Sequence, residues 1–383
     1  FAWPNRTARS LRLPRPATPA MPAVLPRAGG ALLSLLSVGP LGSSRLAACE
    51  AVTASDEAAL LQSGVSLHGH AGAQHDWLSA APLFAPSAAG FDSVAVKDPS
   101  VVFHAGSWHL FYTARGPEEY SLGYASAPRL EELASARRVR LSRLRGRISS
   151  YACAPEVFFF EPQKKWYLLY QLRDAPQGKS PDPYYPVFST NLDVANASGW
   201  SDPRPLLSKD SRKPWIDFWI ICDDARAYLF YTESQDQVMV RSTDLARFPV
   251  GWSKPTIALD HIHEAAHVYK VKDRREYHMI FEIRKKGMRS FGLARAEKLA
   301  GPWRRVTDQY AGATQLRFAG GRAAWTDVVS HGEAIRTGFD QRLEYEASGA
   351  RWLIQGMRGQ DDGRRQYDDL PWSLGLINST DTA

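Results

Sequence analysis

The chain reads as an all-β protein: a five-bladed β-propeller preceded by a largely irregular N-terminal extension. Three observations predict this. A pattern of acid, apolar strand, polar turn and aromatic-rich strand recurs five times, roughly 50 to 70 residues apart. A third piece, Ser-Thr-Asx-Leu followed by Gly-Trp-Ser-x-Pro, recurs in "STNLDVANASGWSDP" from Ser189 and "STDLARFPVGWSKP" from Ser242. Between Phe91 and Ile377 no long helical periodicity appears, which argues against an α/β barrel or a doubly wound sheet. One three- or four-stranded sheet cannot bury both of its faces, so repeated sheets stack around an axis.

Taken in order, residues 1–50 are rich in Pro, Ala and Ser and hold six arginines (Arg6, Arg9, Arg12, Arg15, Arg27, Arg45) ahead of the first acid, Glu50. With the apolar run Ala31–Gly42 they read as a targeting or disordered segment, secretory in the first reading and organellar in the alternative. That run is too short to span a bilayer comfortably, and no membrane partner is expected. Residues 51–84 read as a linker or extension packing on the propeller, and 85–380 as the propeller itself. "VKDPSVVFHAGSWHLFYTA" (Val96–Ala114) opens the first blade and "APEVFFFEPQKKWYLLYQ" (from Ala154) the second. "IDFWIICDDARAYLFYTE" (from Ile216), "HEAAHVYKVKDRREYHMIFE" (from His263) and the weaker "HGEAIRTGFDQRLEYE" (from His331) open the third to fifth. Their leading acids are Asp98, Glu156, Asp217, Glu264 and Glu333.

At 44% apolar, the 383-residue chain is ordinary for a globular protein, so disorder is not the default. The formal net charge of +7 is mostly a property of the N-terminal tail. Beyond it charges are balanced and dispersed, without a basic stripe, and no nucleic-acid partner is expected. Three cysteines, Cys49, Cys153 and Cys222, make neither a disulfide framework nor a paired zinc motif. Asn196-Ala197-Ser198 and Asn378-Ser379-Thr380 are glycosylation sequons.

The first strand of each propeller blade lines the channel, so the five leading acids become neighbours at one mouth, fixed on rigid strands. Crowding is expected to raise at least one of their pKa values, because like charges in a confined site do not all ionise cheaply. Two carboxyl groups facing each other across a pocket, one protonated and one ionised, suit glycoside hydrolysis. Their separation decides between inversion and retention.

Together with "SHGEAIR" and "YDDLPWSLGLI", these motifs resemble, in order and spacing, glycoside hydrolase family 62, the α-L-arabinofuranosidases of the five-bladed propeller clan. The match runs from about Ala85 to Asn378. The resemblance implies an exo-acting, inverting enzyme that takes arabinofuranosyl branches from arabinoxylan or arabinan, with Asp98 as general base, Glu264 as general acid and Asp217 tuning and orienting the acid. It implies a substrate-binding set of Lys97, Glu156, Trp219, Tyr367 and Asp368. Glu156 and Glu333 also read as structural acids holding basic partners near the axis, and Tyr367 as a residue closing the last blade. His331 would neighbour a structural calcium ion or be a buried hydrogen-bonding histidine. No organic cofactor is expected; the partner would be a polysaccharide or oligosaccharide, acted on by a monomer.

Two departures bear on the sugar. Asp368 stands where the family usually has Asn, and Ala266-His267 replaces a small polar pair. A site that loses a matched partner for a hydroxyl can lose orders of magnitude against its old substrate. A propeller hydrolase for another furanoside or a β-xyloside is therefore the first alternative, and a non-catalytic sugar-binding propeller the second.

Overall fold

The computed structural model describes residues 76–145, 151–173, 184–208, 214–321, 323–359 and 365–380. The expectations for residues 1–50, and for all of 51–84 before Asp76, lie outside them. Five sheets of four or five strands follow one another along the chain, as the repeat requires. Blade I is built from Ala95–His104, Ser107–Arg115, Tyr120–Ala127 and Val139–Arg140. Blade II takes Tyr151–Phe160, Lys165–Arg173, Tyr185–Asn191 and Arg204–Pro205. Blade III takes Trp215–Cys222, Arg226–Glu233, Gln237–Asp244 and Thr256–Leu259. Blade IV is Glu264–Val271, Tyr277–Lys285, Met288–Ala296 and Arg304–Ala311, with Glu344–Tyr345 paired in parallel on its inner edge. The helical segments among the described residues are short 3-10 turns.

Blade V corrects the expected boundary at residue 84. Its inner strands are Ser330–Ala334, Arg351–Gly356 and Ser373–Ser379, and the next strand is Trp77–Phe84, antiparallel to Ser373–Ser379. Leu316–Phe318 then adds in parallel outside it. The start of the described chain thus completes the last blade, and the Trp77 indole N–H donates to the Tyr310 carbonyl at 2.8 Å. Sequence pattern misses this strand because Pro82 sits at a break in its register and its middle residues are exposed, so period-2 alternation is lost.

Each inner strand is apolar on both faces because one neighbouring blade covers each side; Ala95–His104 is buried over its first eight residues. Between blades IV and V, Tyr269, Tyr345 and Trp352 meet at ring distances of 5.2 to 5.7 Å. Such pairs add stability beyond their buried area.

One irregularity repeats in all five inner strands. The pairing slips by one residue after Lys97, Cys153, Ile216, Glu264 and Ser330, a one-residue β-bulge at the same level of every blade. The bulge residues are Asp98, Ala154, Asp217, Ala265 and His331; the first four have φ of 46°, 51°, 57° and 55°. Pro99 and Pro155 fit here, since a bulge leaves a ladder position where a missing N–H costs nothing.

This register separates the five leading acids. Asp98 and Asp217 occupy the bulge itself, and Glu264 lies one residue before it. Glu156 and Glu333 fall one layer deeper, level with Ser100, Trp219 and His267. In that layer Ser100 donates to Glu333 Oε2 at 3.1 Å and the Ile220 N–H to Glu156 Oε2 at 2.7 Å. Arg336 fills the axis, pairing with Glu333 at 2.9 Å and donating to the carbonyls of Val101 and Val157 at 3.1 and 2.9 Å.

Burial raises Glu333 to about 7 despite Arg336 and Ser100, and burial likewise pushes Glu156 well up. Replacing Arg336 by Met is expected to cost about 3–5 kcal/mol, because it leaves a buried carboxyl without its cation. A raised folded-state pKa means the neutral form is favoured: stability is intact below the ordinary value of 4.5 and falls as pH rises through about 7. The loss should therefore be larger at pH 8 than at pH 5 in denaturant titrations. Equal losses would show that Glu333 carries no charge in the wild type.

Candidate active site

At the bulge level a narrow axial cleft is lined by Asp98, Ala154, Asp217, Trp219, His267 and His331. Asp98, Asp217 and Glu264, on blades I, III and IV, are 5 to 7% exposed and surround one imidazole. His331 Nδ1 lies 3.5 Å from Asp98 Oδ1, and Nε2 lies 3.5 Å from Asp217 Oδ1. Burial works against its charge, but Asp217, Asp98 and Glu264 outweigh it and hold His331 protonated up to about 10. Asp98 and Asp217 thus flank one buried cation, and Glu264 acts on its charge from a third blade.

Both ring nitrogens of His331 face carboxylates, and the axis below holds Arg336. These surroundings suit a buried imidazolium that bridges two aspartates.

Asp98 is held below its usual value: burial raises it, but Lys97, His331 and the Thr113 hydroxyl lower it further. Lys97 Nζ donates to the Tyr367 hydroxyl at 2.9 Å and lies 4.5 Å from the centre of that ring. Tyr367 turns its hydroxyl inward while the residue as a whole stays 40% exposed at the mouth. Beside it Asp368 Oδ1 accepts the Tyr120 hydroxyl at 2.9 Å. Lys97, Tyr367 and Asp368 therefore stand together at the entrance.

The expected rise of at least one leading acid falls on Glu156 and Glu333, one layer down. Burial pushes Glu264 up, but Arg289, His263 and His331 pull it far below the ordinary range. Arg289 Nη1 donates to Glu264 Oε1 at 2.7 Å and also to Glu282 Oε1; Gln235 Nε2 donates to Glu264 Oε2 at 3.2 Å. Arg289, Gln235, Glu282 and Tyr120 escaped sequence reasoning. They lie on second and third strands or in turns, and no local pattern marks them. The usable signal was physical: a buried acid needs a cation, and Arg289 follows Glu264 by two strands.

One expected sugar-binding residue is corrected, and a second lines the cleft with little of its surface open. Glu156 is fully buried, and its carboxyl holds the Ile220 N–H, so it faces the lower axis rather than the cleft. Trp219 is 1% exposed, gives its indole N–H to the Val268 carbonyl at 2.9 Å, and stacks on His267 at 4.0 Å and 12°. It forms the wall between blades III and IV rather than an open stacking surface. The bulge between Ile216 and Trp219 breaks the regular pleat assumed for this strand. His267 donates Nδ1–H to the Gly332 carbonyl at 2.8 Å, and burial and His331 keep it neutral down to about 3. Its Nε2 is then a bare acceptor in the cleft.

Paired and opposed carboxylates on a rigid five-bladed ring, beside a lysine and an exposed tyrosine ring, define a propeller of the glycoside hydrolase class. The chain belongs to glycosyl hydrolase family 62, whose profile matches residues 76–378. It is 29% identical over 313 residues to alpha-L-arabinofuranosidase C of Cellvibrio japonicus (strain Ueda107), covering 79% of this chain and 46% of that protein. It thus spans about half the length of that curated relative. The catalytic domain of a Coprinopsis cinerea GH62 alpha-L-arabinofuranosidase superposes with a TM-score of 0.72 at 34% identity, over 80% of this chain and 97% of that one. A GH62 hydrolase in complex with xylotriose gives 0.70 at 29%, over 79% and 97%.

Proposed function

We propose that this protein is an exo-acting α-L-arabinofuranosidase that removes arabinofuranosyl branches with inversion. The observation that carries the reading is that Asp98 and Asp217 flank His331 in one cleft, with Glu264 from a third blade near enough to stabilise the same imidazolium. Asp98, held ionised by Lys97 and His331, would take the proton of the attacking water. Asp217 Oδ2 accepts the Ala265 N–H at 3.0 Å and so holds the peptide that follows Glu264. Asp217 would thereby orient the acid through the backbone.

Glu264 must gain a proton before it can donate one. A sugar seated over it removes the remaining water, which favours the neutral form. Arg289 already has a second carboxylate, Glu282, to take its charge. Lys97 would bind ring hydroxyls, with Tyr367 closing over the sugar face. Relatives named as arabinofuranosidases and the xylotriose complex favour arabinoxylan over arabinan.

A panel of 4-nitrophenyl glycosides tests the activity, and NMR of the freshly released sugar tests the stereochemistry. The β-anomer should appear first from the α-linked substrate; early α-anomer would remove Asp98 as base. A second reading, a different furanoside, is favoured by the bare Nε2 of His267 in the cleft. Turnover of another glycoside with none of the arabinofuranoside would select it.

A further inference from the structure

Each bulge frees one backbone N–H that the strand ladder cannot satisfy, and the five blades solve this with one device. Opposite the residue before each bulge, the second strands carry Thr113, Gln171, Thr232, Glu282 and Gln355. All five are buried. Four of them reach across to the next blade and accept its bulge N–H. Gln355 Oε1 takes that of Asp98 at 3.0 Å, Thr113 Oγ1 that of Ala154 at 2.8 Å, Gln171 Oε1 that of Asp217 at 2.9 Å, and Glu282 Oε2 that of His331 at 3.3 Å. Blade III breaks the series. There Asp217 Oδ2 takes the Ala265 N–H, and the buried Thr232 hydroxyl has no hydrogen-bond partner.

We propose that Gln171 and Gln355 are positioning residues for the reaction, fixing Asp217 and Asp98 through their backbone N–H groups from the neighbouring blade. Both aspartates sit at positive φ, 57° and 46°, a conformation that L-residues adopt only when the surroundings enforce it. A side-chain oxygen on the N–H pins that conformation and with it the direction of the carboxylate. The contact between blades thus sets the angle at which each aspartate enters the cleft. Thr232, at the same position in blade III, is idle because Asp217 has taken over its bond. The proposal rests on the hydrolase reading for its kinetic arm and on the hydrogen bonds alone for its exchange arm.

Gln355→Met and Gln171→Met keep the length and remove the acceptor. Each should lower kcat by about 10- to 100-fold with KM within about threefold, since small displacements at reacting groups act on turnover. Gln171→Glu, which retains an oxygen at the same reach, should recover kcat to within about fivefold, and Thr232→Val should match wild type. Independently of turnover, exchange of the Asp98 amide in Gln355→Met and of the Asp217 amide in Gln171→Met should speed up by about tenfold or more, read by NMR. Unchanged exchange of these amides overturns the proposal, whether or not wild type hydrolyses anything; an inactive wild type sinks only the hydrolase reading. Equal kinetic losses in Thr232→Val would reduce the effect to blade packing and also overturn it. Should the Met variants fail to fold, Gln171→Glu must still fold and protect the Asp217 amide, and fast exchange there defeats the idea.

Discussion

Glu264→Gln should slow release of arabinose from arabinoxylan by about 10²–10⁴-fold while slowing 4-nitrophenyl arabinofuranoside by less than about tenfold. The asymmetry comes from the leaving group. A xylosyl oxygen leaves as a poor alkoxide unless it is protonated, whereas 4-nitrophenolate leaves unaided, so only the first reaction needs the acid. Asp98→Asn should instead slow both substrates by a similar factor, because the water that attacks needs its base in either case. Asn is the right probe at this position: Asp98 has φ of 46°, where Asn is tolerated and Ala is strained. Equal losses on the two substrates for Glu264→Gln would remove Glu264 as the proton donor. The Gln side chain keeps one oxygen, which can still accept from Arg289 while Gln235 loses its acceptor, so melting temperatures measured beside the rates separate lost chemistry from lost fold.

Arg289→Met is expected to move the alkaline limb of kcat/KM upward by a pH unit or more and to lower kcat by about 10²-fold. In the free protein Arg289 is the first of the cations that hold Glu264 below its ordinary 4.5, so little of the acid is protonated and the wild-type optimum should lie on the acid side. Without the guanidinium, burial and the facing carboxyl of Glu282 raise Glu264 against the weaker pull of His263 and His331. The stability effect has the opposite trend to that of Arg336. A lowered folded-state pKa contributes stability that is present above the ordinary value and fades as pH falls through the carboxylate range. The Arg289→Met variant should therefore lose most against wild type near neutral pH and least in acid. An unmoved alkaline limb would mean that another group, not Glu264, sets it.

The grammar of the chain carried much of the fold. Five acid–strand–turn–strand units imply five blades, and the apolar runs behind Asp98, Asp217 and Glu264 mark inner strands because both of their faces are covered. The closing strand Trp77–Phe84 was not legible: it alternates only over Trp77–Ser79, and its exposed middle and the register break at Pro82 hide the rest. At the site, Lys97, Asp98, Asp217, Glu264 and Tyr367 were readable from motifs. Glu156 was misplaced because strand residues two positions apart look alike in sequence but lie in different layers of the channel. Arg289, Glu282, Gln171 and Gln355 stayed hidden, since what makes them matter is a partner on another strand or blade.

The sequence by itself determined how many sheets there are, which strand of each lines the axis, and which acids open those strands. Tertiary structure alone decided which of those acids face the cleft and what charge they hold. One inserted residue per inner strand turns Asp98 and Asp217 into the opening and leaves Glu156 and Glu333 beneath it around Arg336. Protonation then follows from the cations gathered around each acid: Lys97 on the same strand and His331 from another blade beside Asp98, and Arg289 from two strands on beside Glu264. Electrostatic coupling depends on distance through space, and spacing along the chain does not encode it.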